Sequence, residues 1–408
     1  MNFYNLDQQD WSVLESERLQ GWFEMDTGLF GMRSPGELVE VDHGESGFLP
    51  RPLPPEVVLT SEQHELIAES RELLGEIRGL TAPGLLPNPG ILLRPLQRQE
   101  ALRSSSLEGT YASDEELLLY ELEPVAADDA SKAAAQWAEV FNNDLALQMA
   151  EEMQGQGELT LWSVRRLHQI LLAGVRGQEK KPGAFRVDQV YIGKDHRFIP
   201  PPGYLVGQCM EALEAYWQTA DKDYPALVRA FYVHYQFEAI HPFLDGNGRI
   251  GRVLLSVMIA QWHGMDRSWV FLSEYFEKHR DEYVDGLFRV STAGDWDGWV
   301  TFCLRAMVSQ GQETIARCRA MLALRQEWRE KVQEIDLKSR AFRLVDRLFS
   351  LPVIDVASAE KALGVKTYQT ALADLERFES LGLIERIEGR YPLTFIAQGV
   401  RRIAHGPY

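Results

Sequence analysis

Cysteine is scarce in this chain: Cys209, Cys303 and Cys318 are the three among 408 residues. An odd number, with no CxxC or Cys/His spacing, excludes a disulfide framework and a zinc finger, so the thiols read as packing groups. Long apolar runs are missing too. Nothing approaches the roughly 18 consecutive apolar residues of a membrane span, and the opening MNFYNLDQQDWSVLESERLQ is too acidic and polar for a signal peptide. A cytoplasmic protein with no membrane contact is expected. Positive charge is also in deficit: 42 Lys and Arg against 60 Asp and Glu leave −18, which excludes wholesale binding of nucleic acid, because phosphate contacts need clustered cations. There is no GxxxxGK[ST] loop and no internal repeat. What is abundant is core material, 45% hydrophobic and 10% aromatic, enough for two or three packed domains.

The pattern of that material is mostly helical. After a mixed first 60 residues with a proline-rich LPRPLPP arm, SEQHELIAESRELLGEIRGL shows helical periodicity behind a Thr60-Ser61 cap signal. A second helix, LLRPLQRQEALRSSSLEGT, closes at Gly109, since glycine accepts the left-handed conformation that ends helices. Helical patterns continue to about residue 333, with one interruption. In KPGAFRVDQVYIGKDHRFIPPPGYLV, residues 181 to 206, β-branched and aromatic residues flank Gly193 and a polar Lys194-Asp195 turn, which predicts a short β-hairpin. From about residue 335 the composition shifts to slightly more basic than acidic residues, and helix, turn at Gly364, helix and a hairpin around Glu388-Gly389 predict a winged helix-turn-helix. The expected division is 1–125, an N-terminal helical region; 126–333, a core; and 335–408, the winged helix.

One stretch carries most of the chemistry: HPFLDGNGRIGR, from His241 to Arg252. Gly246-x-Gly248-x-x-Gly251 formally matches the dinucleotide fingerprint GxGxxG, but that fingerprint needs a preceding strand, and the residues before it are helical. The stretch is a loop between two helices. Pro242 disfavours helical geometry at His241, so the first helix should end there with the imidazole at its tip. Small residues let backbone N–H groups converge at the start of the second helix, whose dipole adds positive charge, and that makes an anion site. Arg249 and Arg252, three residues apart, suit phosphate oxygens, and Asp245 fits a magnesium ion coordinated mainly by phosphate and water. The implied ligand is a nucleoside triphosphate with Mg2+. His241, with an ordinary pKa of about 6.5, suits a general base; His168, His234 and His263 read as structural.

HPFLDGNGRIGR meets every specified position of HPFx[D/E]GN[G/K]RxxR, and on it the chain resembles the Fic family. The resemblance spans about 90 to 320. It implies an all-helical core with a flap hairpin and transfer of AMP from ATP to a Tyr, Ser or Thr hydroxyl of a target protein held along the flap, residues 186–199. By the same resemblance His241 is the base, Asp245 the Mg2+ ligand, and Asn247 with the amides of Gly246, Gly248, Ile250 and Gly251 the α-phosphate site. Arg249 and Arg252 take the outer phosphates, Tyr283 and Tyr275 lie near the adenine, and Phe243 anchors the loop. The family often has paired tyrosines at the adenine, whereas here Tyr283 precedes Val284.

Ser104-Ser105-Ser106-Leu107-Glu108-Gly109 meets the family's inhibitory pattern [S/T]xxxE[G/N]. Ser104 and Glu108 lie one helical turn apart, and Glu108 is expected to pair with Arg252, taking the guanidinium the γ-phosphate needs. Three alternatives stay open: a hydrolase that removes AMP by means of Glu108, a phosphotransferase like the Doc branch, and a winged-helix DNA-binding regulator with a residual Fic core. Gly248 in place of the Doc lysine favours AMP transfer, and the acidic bulk disfavours DNA. Self-modification and a homodimer are also open.

Overall fold

The computed structural model describes residues 25–41, 44–82, 89–123, 132–157, 159–193, 196–219, 224–334 and 340–406. The expected Lys194-Asp195 turn and the 125/126 junction lie outside them.

Helices α1 (Ser61–Leu80), α2 (Gly90–Leu107), α3 (Asp114–Leu122), α4 (Lys132–Gln156) and α5 (Leu161–Leu171) precede the flap. After it come α6 (Gly203–Gln218), α7 (Ala226–Ile240), α8 (Asn247–Trp262), α9 (Ser273–Lys278), α10 (Arg280–Ala293) and α11 (Trp296–Glu334). The starts follow the sequence. Thr60, Ser113 and Thr160 each cap a helix, and reciprocal bonds from Gln63, Glu116 and Ser163 complete capping boxes. α1 buries Gln63, Ile67, Ser70, Leu74 and Ile77, one stripe at helical spacing. That stripe packs along α11. Glu62 pairs with Arg305, Glu69 with Gln312 and Glu76 with Arg319, every pair 243 residues apart, so the two helices run parallel and repeat their contact every two turns.

α7 and α8 sit at the centre and are apolar on nearly every side, with Phe231, Tyr232, Phe237, Ile250 and Val257 all buried. A helix buried all round has no polar face to display, which is why its periodicity is weak in sequence. This antiparallel pair fixes the loop between them.

Two expectations need correction. Within the first 60 residues the sequence suggested only an extended arm; strands β1 (Gly36–Glu40) and β2 (Ser46–Pro50) form an antiparallel hairpin there. Phe48 N–H donates to Ile199 O at 2.8 Å, so this hairpin braces the flap. The flap itself is less strand-like than predicted. One antiparallel bridge, Ile192 to Phe198, closes it with N–H···O bonds of 2.9 and 3.1 Å, and the expected strand end at 203–206 is already the first turn of α6. Pro200, Pro201 and Pro202 supply no N–H for a ladder, which stops the pairing.

The C-terminal segment folds as α12 (Arg340–Ser350), β3 (Val353–Asp355), α13 (Val356–Leu363), α14 (Tyr368–Ser380), β4 (Glu385–Arg386), β5 (Thr394–Ile396) and α15 (Gln398–His405). Its antiparallel sheet has the order β3-β5-β4. It is docked on α2: the Arg98 guanidinium, 1% exposed, donates to Ser350 O at 2.6 Å, and the His405 ring meets Gln99 at 2.8 Å.

Candidate active site

His241 caps α7 in the left-handed conformation, φ 51° and ψ 62°. A non-glycine residue adopts that only where its surroundings hold it, and here the clamp is Arg186. Its side chain is buried, and it donates to His241 O (2.8 Å), Ile240 O (3.2 Å) and Pro201 O (2.7 Å). Those bonds satisfy carbonyls that the helix end leaves without partners. Burial, with the Arg186 charge second, pushes the His241 pKa down to about 4. The imidazole is therefore neutral near pH 7 and can take a proton.

The loop beyond it is braced from two sides. Phe243 is wholly buried and stacks on His168 with ring centroids 3.8 Å apart. His168 Nδ1 accepts from Gly183 N–H at 2.8 Å, which puts the ring proton on Nε2, and Nε2 donates to Asp245 O at 2.9 Å. The structural reading of His168 thus acquires a purpose: it fixes the carbonyl of the acidic residue. Asn247 is also structural. Its amide accepts from Phe243 N–H and donates to Phe243 O, both at 2.8 Å, so its oxygen and one of its two N–H groups are engaged by the loop backbone and one N–H remains. Its place in the motif pointed to phosphate; the buried backbone of Phe243 needed the partner more.

Gly246, with φ 75°, begins α8, and no side chain caps the helix. Its first N–H groups are therefore left for an anion. The two arginines part company. Arg249, 1% exposed, has Nη2 3.4 Å from Asp245 Oδ1 and Nη1 3.7 Å from Glu139 Oε2; its Nε and Nη1 have no hydrogen-bond partner among the described residues. Arg252, 3% exposed, turns the other way: Nε donates to Ser104 Oγ (2.9 Å), and Nη2 to Ser104 O (2.8 Å) and Glu108 Oε1 (2.8 Å). Burial opposes ionisation of Glu108, but Arg252, aided by Arg249, holds its carboxyl below the usual range. The expected pairing of Glu108 with Arg252 is present in the geometry.

A cavity of about 290 Å³ opens beside this pair. His241, Gly248, Arg252, Tyr283 and Glu108 line it, together with an apolar end formed by Ile192, Val284 and Leu287. Asp245, Gly246, Asn247, Arg249, Ile250 and Gly251 are not among the residues that line it. Tyr275 is elsewhere: it stacks on His279 and borders a separate surface cleft with Thr60 and Arg305. Tyr283 does line the cavity, its hydroxyl 2.9 Å from His234 Nε2. Sequence reasoning missed Glu238, Tyr235, Arg197 and Arg280, which also line it. Glu238 was legible, lying one turn before His241 on α7; Arg197 and Arg280 come from loops and helix ends that no local pattern ties to the site.

No cluster of three or more His, Cys, Asp or Glu side chains suited to a metal occurs among the described residues. A lone carboxylate, Asp245, half-exposed beside uncapped helix amides, fits an ion held mainly by substrate phosphates and water, as magnesium commonly is.

A helical fold in which a glycine loop joins a catalytic-type histidine to an anion-binding helix defines the class. Residues 158–259 match the Fic/DOC family and residues 64–152 the Fic/DOC family N-terminal region. Over those two stretches the chain carries a Fic/DOC domain preceded by the family's N-terminal region. It is 31% identical over 112 residues to a probable protein adenylyltransferase of Aquifex aeolicus, covering 28% of this chain and 32% of that one. With the protein adenylyltransferase Fic of Drosophila persimilis the identity is 33% over 126 residues, 30% of this chain and 24% of that one. The chain thus spans about a third or less of these curated relatives. A Fic family protein from Desulfovibrio desulfuricans G20 superposes with a TM-score of 0.55 at 19% identity, over 85% of this chain and 98% of that one. Fic-1 of Caenorhabditis elegans gives 0.51 at 19%, over 63% and 73%. At that identity the likeness establishes the fold alone.

Proposed function

We propose that the protein transfers AMP from ATP to a hydroxyl of a target protein and that Glu108 restrains it. The observation that carries this reading is the arrangement around α8: a neutral His241 and an uncapped helix N-terminus meet one cavity whose second arginine is occupied by Glu108. Relatives named protein adenylyltransferase support the choice of AMP. In the reaction the target hydroxyl oxygen attacks the α-phosphorus as its proton passes to the His241 imidazole. A new P–O bond forms, the bond to the β-phosphate breaks, and pyrophosphate leaves. The α8 amides and Arg249 offset charge on the phosphates. Asp245 would hold Mg2+, which supplies charge neutralisation at the phosphates.

Glu108 acts by occupancy. With its carboxylate on Arg252, the guanidinium is already paired and a negative charge faces the incoming polyphosphate, so ATP is excluded from the productive pose. The flap, whose Val187 is 70% exposed, offers backbone for an extended target segment. The C-terminal segment reads as a winged helix, a separate unit from residue 335 that serves protein contacts; a gel shift with the full-length protein at physiological salt tests the DNA alternative.

Full-length wild type, Glu108→Gly and His241→Ala, incubated with magnesium and ATP labelled at the α- or γ-phosphate, test the reading. Label from α-ATP only, strongest in Glu108→Gly and absent in His241→Ala, is expected. Label from γ-ATP would make it a phosphotransferase, and AMP release from modified target, lost in Glu108→Gly, would make it a hydrolase.

A further inference from the structure

Arg252 faces more carboxyls than one brake requires. Glu108 holds it directly at 2.8 Å. Glu100, on α2, also feels its charge, but both Glu100 oxygens are engaged by Ser273, through N–H and Oγ. Glu238, on α7, is the third, and its Oε1 is buried with no hydrogen-bond partner among the described residues.

Glu238 is set in place by its neighbour. A Cβ on Gly251 would stand 2.3 Å from Glu238 Oε1 and 3.2 Å from Phe237 Cδ1. Only glycine at that position lets the carboxyl lie against α8, one residue from Arg252, and still line the cavity. A buried carboxyl with a spare oxygen, within electrostatic reach of a buried guanidinium, is costly unless it is used.

We propose that Glu238 is the reserve counter-ion of Arg252, a positioning residue that holds the guanidinium in the cavity when Glu108 is withdrawn and yields it to the incoming phosphate. The inference rests on the nucleotide reading given above. Arg252 is 3% exposed, and a buried cation stripped of the carboxylate bonded to it is strongly destabilised, so without a reserve the withdrawal of Glu108 would be opposed at its first step. While Glu108 is in place its charge helps keep Glu238 protonated; when Glu108 withdraws, that contribution is lost, Glu238 releases its proton to solvent, and the guanidinium passes from one carboxylate to the other. When phosphate then arrives, Glu238 takes up one proton from solvent, forming an O–H bond and removing a negative charge next to the ligand.

The surroundings favour that protonation. Burial pushes Glu238 up to about 8, with Glu108 adding to the rise and Arg252 opposing it. The guanidinium groups of Arg197 and Arg280 line the cavity. The other groups on it and around Arg252 are Tyr235 on α7 and Tyr283 from α10, whose hydroxyls burial pushes above their ordinary value, and His234 and His241 on α7, pushed down to about 3 and about 4. None of these changes charge between pH 7 and pH 9. Glu100, raised to about 7 chiefly by burial, does titrate at the edge of that range and is common to every variant used below.

The test is calorimetric titration of full-length Glu108→Gly and Glu108→Gly/Glu238→Gln with a non-hydrolysable ATP analogue and magnesium, in buffers of different protonation enthalpy. The single variant should bind with proton uptake and lose at least about tenfold in affinity between pH 7 and pH 9, the loss expected when one proton must be added to a carboxyl that the removal of Glu108 has left ionised. The double variant should lose both the uptake attributable to Glu238 and most of that slope. Glu108→Gly/Gly251→Ala, which denies the carboxyl its space, should resemble the double variant. Equal uptake and equal slopes in the single and Gln variants would overturn this inference alone. Binding weakened by Gln equally at all pH values would also overturn it, because that is the behaviour of a simple ligand or packing group. No binding to Glu108→Gly at either pH would overturn the nucleotide reading, and this inference with it.

Discussion

The loop from His241 to Arg252 and the helix end from Ser104 to Glu108 meet at one guanidinium, yet they are held in opposite ways. The loop is fastened by side chains whose polar atoms are spent on holding it, with Arg186 on the carbonyls before it, His168 on Asp245 O and Asn247 on both backbone atoms of Phe243. The helix end is joined to the site by three bonds from Arg252, and the Glu108 side chain that makes the decisive one is 36% exposed. A site meant to do chemistry is pre-organised, whereas a group meant to be removed is held by few bonds at the mouth. The other side of α2 carries its own ties, Arg98 to Ser350 and Gln99 to His405, so the helix that bears the proposed brake lies between the cavity and the C-terminal segment.

Breaking the loop side should have the larger consequences. His241→Ala in the Glu108→Gly background is expected to cut AMP transfer about 10²- to 10⁴-fold, the usual contribution of a general base, while affinity for the nucleotide analogue stays within about twofold. The pH profile sharpens the point. A histidine whose pKa is depressed is neutral above that value, so activity should persist as pH falls through 6.5 and be lost only toward about 4. Glu108 raises the His241 pKa, and its removal should move the acid limb lower still. A limb at 6.5 in transfer assays at saturating ATP would show that His241 is not buried in the working state.

Next in size is Phe243→Ala, which removes a wholly buried ring stacked on His168 and is expected to cost about 3–5 kcal/mol in unfolding free energy. Because the same ring sets the distance between His168 and Asp245, the loss should appear in nucleotide affinity as well as in Tm. Thermal unfolding and analogue binding on one preparation check both. A stable variant with unchanged affinity would mean the loop keeps its shape without its anchor.

The contrast between loop and brake also explains what the sequence could say. Contiguous chemistry was legible: His241, the Gly246 turn, Arg252 and the Ser104 to Glu108 spacing all sit in short runs whose meaning depends on helix geometry and on the family pattern. The pairing of Glu108 with Arg252 crosses 144 residues, and the family resemblance alone supplied it. What stayed hidden was mostly the fastening. Arg186 and His168 are single polar residues in ordinary surroundings, and their partners are backbone atoms, which leave no trace in residue identity. The sequence places Asn247 and Arg249 next to the anion site but does not say what else holds them: Asn247 pairs with the Phe243 backbone, and Arg249 lies beside Asp245 and Glu139. The β1-β2 hairpin was missed because Gly36, Gly47 and Pro50 break the alternation that marks strands.

The smallest effect comes from the brake's secondary bond. Ser104 Oγ accepts from Arg252 Nε at 2.9 Å, while Ser104 O and Glu108 keep Nη2. Ser104→Ala removes one hydrogen bond of about 1 kcal/mol and leaves the other two, so transfer by the otherwise wild-type protein should rise about fivefold, well short of Glu108→Gly. In the Glu108→Gly background the same change should give no further gain, because Glu108, the carboxylate toward which Ser104 steers the guanidinium, is gone. A fall in rate in both backgrounds would place Ser104 on the other side of the comparison: it would then orient Arg252 for phosphate, and the helix end would be part of the active site as well as its restraint.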